Sequence, residues 1–317
     1  MSHVDVLIIG GGPSGLSAAL TLARQNHTVV LFDTSEGRAS ASPRIHGFSC
    51  WDHKAPEEYL EFARNELKPY KCFTAVDVHV AKLATINTHF KATDKNGATY
   101  EGKKVILANG VVDVFPDVLG YADCWGKGIF HNLFAQAYQE DIANIQAGVL
   151  AVDWIAMPQF TIHMTHLASQ LASSVTIYTN GNEELAKEIA PTLEGKPWKS
   201  DTRKIARLRL KSPNETAVEI TFEDGSTTLE AFVAHNPMTK VRGPFAQQLG
   251  IKLVATGGQY ETSGPFNATS VPGIFAVGDT TNMFKVWPNA VASGAQAAAG
   301  IAIMLQEEKW GLPTIYR

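Results

Sequence analysis

A glycine-rich turn between a predicted strand and a predicted helix constrains the fold of this chain more than any other feature. The sequence VDVLIIG (residues 4–10) is a continuous apolar run, which is typical of a strand buried on both faces of a sheet. It leads through GGGPSG (10–15) into a helix rich in small residues, and a second apolar run (27–33) ends in an acid. These segments predict a βαβ unit and therefore an α/β fold.

The turn matches the pattern G-x-G-x-x-G, with Gly10, Gly12 and Gly15 at the three glycine positions. Glycine permits a tight turn at Gly10, a close approach of the backbone to a pyrophosphate at Gly12, and close packing of helix on strand at Gly15. The pattern is informative here because it follows a strand and opens a helix. We therefore predict a dinucleotide-binding site at this turn.

The residues around the turn complete the predicted site. The helix that starts at Pro13 and Ser14 offers N–H groups and the positive end of its dipole to phosphate groups. Asp33 ends the second strand, where an acid would accept hydrogen bonds from an adenosine ribose.

The rest of the chain alternates strands and helices in two α/β lobes. Asn96–Gly97 and Asp224–Gly225 each join segments of alternating polarity, and predict β-hairpins over 89–110 and 217–236. Further strands are predicted at 147–152 and 174–180. Helices are predicted at 55–67, 158–172 and 288–308.

The composition indicates a globular protein of modest charge. Of the 317 residues, 45% are hydrophobic and 18% charged, and the formal net charge of -4 favours neither nucleic acid nor an anionic membrane as a partner. No apolar stretch has the length of a membrane span, and no secretory signal is visible before the first strand. The three cysteines are too few and too widely spaced for a disulfide framework or a metal site. We expect a cytoplasmic protein.

Three segments together resemble a known family: GGGPSGLSAAL, VILANG (105–110) and TSVPGIFAVGD (269–279). In order and spacing they are similar to the fingerprints of two-domain flavoprotein reductases of the thioredoxin reductase type, the class II pyridine nucleotide-disulfide oxidoreductases. The resemblance covers nearly the whole chain. It implies a homodimer and a discontinuous FAD-binding Rossmann-like domain of three layers (ββα), over 1–115 and 237–317, with an inserted nicotinamide-type domain over 116–236.

The resemblance also implies which residues hold FAD. Asp279 would bind the ribityl chain and the flavin phosphate. Asn289 and Ala290 begin a helix whose N–H groups would face the pyrimidine edge of the isoalloxazine, where the helix dipole stabilises negative charge. The complete implied set is Gly10, Gly12, Pro13, Ser14, Gly15, Asp33, Ala108, Gly110, Gly278, Asp279, Asn289 and Ala290.

The second glycine turn of the family, which binds NADPH, has no equivalent here. The matching segment, VLAVDWIAMPQF (149–160), has Asp153, Trp154 and Met157 where glycines and small residues are needed. Bulky side chains keep a pyrophosphate away from the backbone, and an Asp repels it. We expect the insert to bind NADPH weakly or not at all and to act as a packing element and dimer surface. An unusual nicotinamide site is the alternative.

The family's C-x-x-C pair is also missing. HNLFAQAYQ (131–139) has Asn132 and Ala135 in its place, and neither can carry out thiol–disulfide exchange. The neighbouring sequence GYADCWGKGIF is most similar to the fungal branch of the family, which includes gliotoxin-type dithiol oxidases that return flavin electrons to oxygen. Their disulfide chemistry is not implied for this chain. Cys50 and Cys124 are interpreted as small hydrophobic residues rather than nucleophiles.

A direct hydride transfer from a substrate to a flavin needs a base for the accompanying proton. We expect His131 to be that base because it adjoins the lost dithiol. His163 and His166 have no third ligand at suitable spacing, so no metal is expected. The other predicted pocket residues are Asn132, Gln136, Tyr138 and Trp287, with His46, His53 and Lys285 as further candidates.

The leading hypothesis is an FAD-dependent oxidase of a small organic molecule, of the kind made in secondary-metabolite biosynthesis, with oxygen as the electron acceptor. One alternative is a flavoprotein isomerase or cyclase, which would turn over without consuming oxygen. A second alternative is a non-catalytic flavin-binding protein, whose flavin no metabolite would reduce.

Overall fold

The computed structural model describes residues 3–38, 42–138 and 142–314. The chain divides into two compact units, one formed by Met1–Val112 with Thr239–Arg317 and the other by Asp113–Met238. The second unit is thus inserted into the sequence of the first. The connecting strands, β7 (Val111–Val114) and β16 (Met238–Val241), pair with each other as a two-stranded sheet.

The first unit contains one large sheet, to which nine described strands contribute. Its elements are β1 (Val4–Ile9), α1 (Pro13–Ala23), β2 (Val29–Asp33), α2 (Pro56–Leu67), β3 (Phe73–Asp77), β4 (Val80–Ile86), β5 (His89–Asp94), β6 (Thr99–Leu107), α6 (Phe245–Leu249), β17 (Thr262–Ser263), β18 (Ala268–Thr269), β19 (Ile274–Ala276) and α7 (Trp287–Trp310). The main path runs β17-β18-β19-β6-β1-β2-β3, and the hairpin β4–β5 joins it through β6.

Alternating side chains of β1 separate two hydrophobic cores. Val6 and Ile8 pack on one face with residues of α1 and α7, and Leu7 and Ile9 pack on the other with residues of the β4–β5 hairpin and α6. All four side chains are at most 5% exposed. The first unit therefore has three layers: helices, a central sheet, and a hairpin layer.

The second unit repeats this arrangement on a smaller scale. Its elements are α3 (Tyr121–Cys124), β8 (Ile129–Phe130), β9 (Gln146–Leu150), α4 (Pro158–Ser169), β10 (Ser174–Tyr178), α5 (Glu183–Leu193), β11 (Trp198–Asp201), β12 (Ile205–Leu210), β13 (Val218–Phe222), β14 (Thr227–Glu230) and β15 (Phe232–Ala234). A parallel sheet, β11-β10-β9-β15-β8, packs against α4 and α5, and β12-β13-β14 forms an antiparallel sheet.

The predicted α/β class, the first βαβ unit and the principal helices are confirmed, with helix ends displaced by a few residues. The hairpin around Gly97 is confirmed, since β5 and β6 pair antiparallel and Gly97 has a φ of 86°. The hairpin predicted over 217–236 was partly wrong. It ends at Glu230, and Phe232–Ala234 instead form β15 in the parallel sheet because these three residues are almost completely buried.

Candidate functional site

The carboxyl ends of β1, β2, β6 and β19 meet at one edge of the first unit's sheet. β1 pairs parallel with β2 and β6, and β6 pairs parallel with β19. The N–H of Gly10 donates to the Phe32 carbonyl at 2.8 Å, and the N–H of Ala108 donates to the Ile9 carbonyl at 2.9 Å. This edge is where open parallel sheets bind their ligands. It brings together the predicted residues Gly10, Asp33, Ala108 and Gly278.

The three glycines of the first turn differ in what a side chain at each position would meet. Gly10 has a φ of 115°, and a Cβ there would lie 2.2 Å from the Ala108 carbonyl oxygen. A Cβ at Gly15 would lie 1.9 Å from the Gly10 carbonyl oxygen, so strand and helix touch at this point. A Cβ at Gly12, in contrast, would meet no described protein atom within 4 Å. Gly12 therefore faces space that a ligand can enter.

Helix α1 begins at this turn without a side-chain cap. Gly12 is its N-cap residue, Pro13 occupies its first position, and its first turn contains no acidic residue. Ser14 and Gly15 are buried. The N–H groups and dipole of the helix start are therefore available to an anion.

Asp33 is held by its own loop and by an arginine that the sequence analysis did not identify. Its Oδ1 accepts hydrogen bonds from the N–H groups of Thr34 at 2.9 Å and Ser35 at 3.1 Å. Its Oδ2 pairs with Nη2 of Arg64 on α2, and Arg64 also contacts Asp77 at 3.2 Å. These contacts hold the Asp33 carboxylate at the end of β2, where it is paired with Arg64.

The Gly278–Asp279 turn packs against the start of α1. Gly278 has a φ of 73°, its N–H donates to Ser293 Oγ at 2.9 Å, and a Cβ there would lie 2.7 Å from Ser14 Oγ. Asp279 is half-buried and pairs with Nη1 of Arg38 at 3.4 Å. Arg38 was also missed from the sequence, because it lies in a loop predicted only as irregular.

The turn after β6 carries a buried polar group that the sequence analysis passed over. The Asn109 amide donates to the Arg242 carbonyl and to the hydroxyl of Tyr260, the latter at 3.2 Å. Asn109 Oδ1 is buried and has no hydrogen-bond partner among the described residues. Gly110 follows with a φ of 68° and accepts a hydrogen bond from the Arg242 N–H at 3.0 Å. A bound molecule could satisfy the Asn109 oxygen.

Helix α7 starts next to a cluster of aromatic side chains. Pro288 lies in its first turn, which contains no acidic residue, and Asn289 donates to the Phe284 carbonyl at 3.0 Å. Ala290 belongs to the same turn. The Trp287 ring lies 6.4 Å from Phe48 and 5.2 Å from Tyr59, measured between centroids. Trp287 thereby connects the start of α7 to the loop that contains residues 46–53.

In that loop, His46 and His53, two of the predicted pocket residues, both contact the carboxylate of Asp52. His46 Nδ1 lies 3.4 Å from Asp52 Oδ1, and His53 Nε2 lies 3.2 Å from Asp52 Oδ2. The Gly47 N–H also donates to Asp52 Oδ1, at 3.0 Å. Backbone hydrogen bonds between Ile45 and residues 53 and 54 close the loop. His46 is the more buried of the two, with 28% of its side chain exposed against 71% for His53.

The other predicted pocket residues belong to the second unit. The His131 ring lies 5.4 Å from the Trp125 ring. Asn132 Oδ1 accepts a hydrogen bond from the Phe134 N–H at 3.2 Å, and Tyr138 is 73% exposed. Gln136 Oε1 is buried with no partner in residues 3–38, 42–138 and 142–314. Their grouping with Trp287, which lies in the first unit, stays a prediction.

The turn after β9, at the matching edge of the second unit, contains a short helix and a tryptophan that packs on its neighbours. Asp153 adopts a φ of 51° and starts a 3-10 helix over Asp153–Ala156. The Trp154 indole donates to the Asn236 carbonyl at 2.6 Å and packs on Phe160, 4.8 Å between centroids. These contacts hold the Trp154 indole in place beside the turn after β9.

Comparison with known proteins identifies the family. The profile described as "Pyridine nucleotide-disulphide oxidoreductase" matches residues 4–294. Thioredoxin reductase aclD of Aspergillus oryzae is 40% identical over 305 residues, 95% of this chain and 96% of that protein. Thioredoxin reductase tcpT of Claviceps purpurea is 38% identical over 318 residues, 99% of this chain and 98% of that protein. The chain belongs to the pyridine nucleotide-disulphide oxidoreductase family.

The structural comparison agrees with this assignment. The crystal structure of the putative thioredoxin reductase TrxB from Bacillus anthracis superposes with a TM-score of 0.87 at 26% identity, and the match covers 97% of this chain and 100% of that one. The resemblance to thioredoxin-reductase-like proteins of the fungal branch and the two-domain Rossmann-type fold are thus confirmed.

FAD is the cofactor of these thioredoxin-reductase-like proteins. The first unit fits it in three respects. The space beside Gly12 is open. Helices α1 and α7 both start without acidic residues. Asn109 Oδ1 is a buried acceptor with no partner among the described residues. Asp33 and Asp279 lie at the same sheet edge, each already positioned by an arginine.

This member of the family lacks thiols at the dithiol position, and its cysteines are all free. Cys124 is completely buried, and burial raises the pKa of its thiol to about 11, so it is a poor nucleophile at neutral pH. Cys50 is exposed. Among the described helices, none combines the length and the apolar character needed to cross a bilayer.

Proposed function

We propose that this protein is an FAD-dependent oxidase that oxidises a small organic molecule, in secondary-metabolite biosynthesis, and transfers the two electrons to oxygen without a redox disulfide. Substrate and oxygen would give oxidised product and hydrogen peroxide, which balances two hydrogens and two electrons. The observation that carries the proposal is the turn after β9, where the Trp154 indole donates to the Asn236 carbonyl. We propose that the indole takes up the space that a nicotinamide dinucleotide would need.

The replaced dithiol supports the same proposal. Asn132 and Ala135 leave the chain without thiols at the dithiol position. In the proposal, the turn after β9 also provides no NADPH route. Bound FAD supplies a two-electron acceptor for the substrate. In the proposal, the glycine turn and the start of α1 hold its pyrophosphate, Asp33 its ribose, and Asp279 its ribityl chain, which orients the cofactor toward the start of α7.

We also propose that His46, in the first unit, is the base that accepts the proton of the substrate. The Asp52 carboxylate contacts the Nδ1 edge of His46, so it orients the ring and keeps the other ring nitrogen, Nε2, as the basic site. The loop of His46 contacts Trp287 through Phe48, at the start of the helix proposed to face the flavin. His131 remains the candidate base on the second unit. Its ring lies 5.4 Å from the Trp125 ring, measured between centroids.

The remaining expectations rest on the family resemblance. We propose a homodimer in the cytoplasm, with a small molecule and oxygen as its partners and with neither nucleic acid nor membrane. Size-exclusion chromatography with light scattering tests the assembly, and a mass equal to one chain would contradict it.

The proposal is tested by a substrate screen on the purified FAD-bound protein. Oxygen uptake and peroxide are measured with a panel of aromatic and heterocyclic metabolites, and free FAD serves as the blank. An oxidase consumes one oxygen per substrate and its flavin absorbance near about 450 nm is bleached when the substrate is mixed without oxygen. Turnover without oxygen consumption would contradict the oxidase and favour an isomerase or cyclase.

The base assignment is tested separately with that substrate. We expect His46→Ala to lower kcat about 100-fold and Asp52→Asn to lower it by a smaller factor with a displaced pH profile. His53→Ala, which removes the more exposed partner of the same carboxylate, is the matched control and should retain most of the activity. A 100-fold loss in His131→Ala with normal activity in His46→Ala would assign the base to the second unit instead.

A further inference from the structure

Three neighbouring strands of the first unit place three metal-ligating side chains on one face of the sheet, at the edge opposite the FAD site. β1 pairs parallel with β6 from Val4 and Gly102 onward, so His3 lies beside Glu101. β5 pairs antiparallel with β6, and His89 is the diagonal neighbour of Glu101 on the same face. Pairing on both sides of β6 thus fixes the two imidazoles around one carboxylate.

The three ligand atoms converge on a common point. His3 Nε2 lies 3.0 Å and His89 Nε2 lies 3.4 Å from the same oxygen, Glu101 Oε2. All three atoms lie within 4.8 Å of one another. With zinc–ligand bonds of about 2.05 Å, the ligands of a tetrahedral site are separated by about 3.3 Å. The two histidine–glutamate separations therefore match those of a tetrahedral site.

The burial of the cluster suits a metal ion with one open position. His89 is 17% exposed, Glu101 33% and His3 40%, so water can reach the site and supply the fourth ligand. Two cations lie on the same face. Lys103 is paired with Asp5 at 2.8 Å, whereas Lys91 is the direct cross-strand partner of Glu101 on β5. The positive charge of Lys91 repels a dication, so removal of this charge should tighten metal binding.

The second histidine cluster has a different geometry. His46 and His53 contact different oxygens of Asp52, and one of those oxygens also accepts a backbone hydrogen bond. That pattern orients two rings around a carboxylate. In the first cluster both imidazoles approach a single oxygen, Glu101 Oε2, so all three ligand atoms lie around one point.

We propose that His3, His89 and Glu101 bind a divalent transition-metal ion of the zinc class, and that the ion fastens the start of β1 to the β5–β6 hairpin. Two imidazoles and a carboxylate are the ligand types that zinc prefers over calcium or magnesium. The ion is structural and lies apart from the FAD site, so the proposal is independent of the oxidase proposal.

The proposal is tested by isothermal titration of the full-length FAD-bound protein with zinc chloride. The protein carries no polyhistidine tag, because a tag would bind zinc itself, and it is treated with a chelator and dialysed first. We expect a saturable site with a stoichiometry of one that is weakened at least about tenfold by His89→Ala and by the isosteric Glu101→Gln. His79→Gln, an exposed histidine on the same unit, is the matched control and should bind like the wild type.

Two further measurements separate a metal site from a simple histidine–glutamate ion pair. Lys91→Gln should bind zinc more tightly than the wild type, because it removes a cation without touching a ligand. Anomalous scattering at the zinc edge from a zinc-soaked crystal should place the ion between the three side chains. No saturable binding below about 100 μM, or binding lost in His53→Ala but kept in His89→Ala and Glu101→Gln, would overturn the proposal.

Discussion

The hydroxyl of Tyr121 and Nδ1 of His235 form a hydrogen bond of 2.7 Å inside the second unit. His235 is 0% exposed, and its burial lowers the pKa of the imidazole to about 3. Burial raises the pKa of the Tyr121 hydroxyl, so both groups are neutral in the folded protein. Because the pKa of His235 is lower in the folded than in the unfolded chain, its contribution to stability is present above about pH 6.5 and is lost as the pH falls.

We predict that this histidine removes about 2 kcal/mol of stability between pH 8 and pH 5, because protons bind to it only in the unfolded chain. The free energy of unfolding is measured by urea denaturation at both pH values. His235→Gln should be less stable at pH 8 but should show a smaller loss at pH 5. His79→Gln, with an exposed ring, is the control and should keep the wild-type pH dependence. Equal pH dependence in His235→Gln and the wild type would contradict the assignment.

A second residue-scale prediction concerns the strained position after β9. Asp153 has a φ of 51°, a conformation that glycine adopts at lower cost. We expect Asp153→Gly to raise the free energy of unfolding by up to about 1 kcal/mol. The same variant should not acquire NADPH binding, because the proposed obstruction, the Trp154 indole, is still present. NADPH binding by Asp153→Gly in fluorescence titration would show that charge, rather than the indole, excludes the nucleotide.

At the scale of elements, the turn that joins β1 to α1 contains glycines with two different roles. A Cβ at Gly15 would overlap the Gly10 carbonyl, whereas a Cβ at Gly12 would enter open space. Gly15 is required because the protein packs on itself there. We predict that Gly12 is required by the cofactor.

The matched substitutions test that difference. Gly15→Ala should destabilise the protein by about 2–3 kcal/mol, because strand and helix must move apart. Gly12→Ala should keep the wild-type unfolding profile without cofactor but weaken FAD binding at least about tenfold, as measured by reconstitution of the apoprotein. Unchanged FAD affinity in a folded Gly12→Ala variant would mean that the pyrophosphate does not approach this turn.

Local patterns predicted these elements because their causes are local. The glycine turn, the Pro13 helix start and the Asp33 strand end lie within one βαβ unit, and their spacing is sufficient to predict the site. Arg64 and Arg38 were not predicted as partners of the two acids. Each pairing depends on how α2 or a loop packs in three dimensions. The periodicity of the sequence does not indicate that packing.

The same reasoning explains the other errors and omissions. The segment Phe232–Ala234 reads as a continuation of its hairpin, although its burial assigns it to the parallel sheet. His3, His89 and Glu101 are far apart in the sequence and meet only because β1 and β5 flank β6. Asp52 was not considered beside His46, since the loop geometry that joins them follows from backbone hydrogen bonds.

At the scale of the whole molecule, one unit has the features expected of a cofactor site, and we propose that the other has lost them. The sheet edge of the first unit presents an open glycine turn, two uncapped helix starts and two positioned acids. At the corresponding edge of the second unit the Trp154 indole donates to the Asn236 carbonyl, and we propose that it closes the turn. The chain is therefore a member of the pyridine nucleotide-disulphide oxidoreductase family whose proposed chemistry uses the flavin alone.

The most direct test of this account is the rate at which NADPH reduces the FAD-bound protein in the absence of oxygen. The protein is mixed with excess NADPH in a stopped-flow instrument, and the flavin absorbance at about 450 nm is followed. The account predicts no bleaching at a catalytic rate with NADPH, whereas photochemical reduction or dithionite bleaches the same sample. Rapid and complete bleaching by NADPH would show that the second unit delivers electrons to the flavin, and would contradict the central claim.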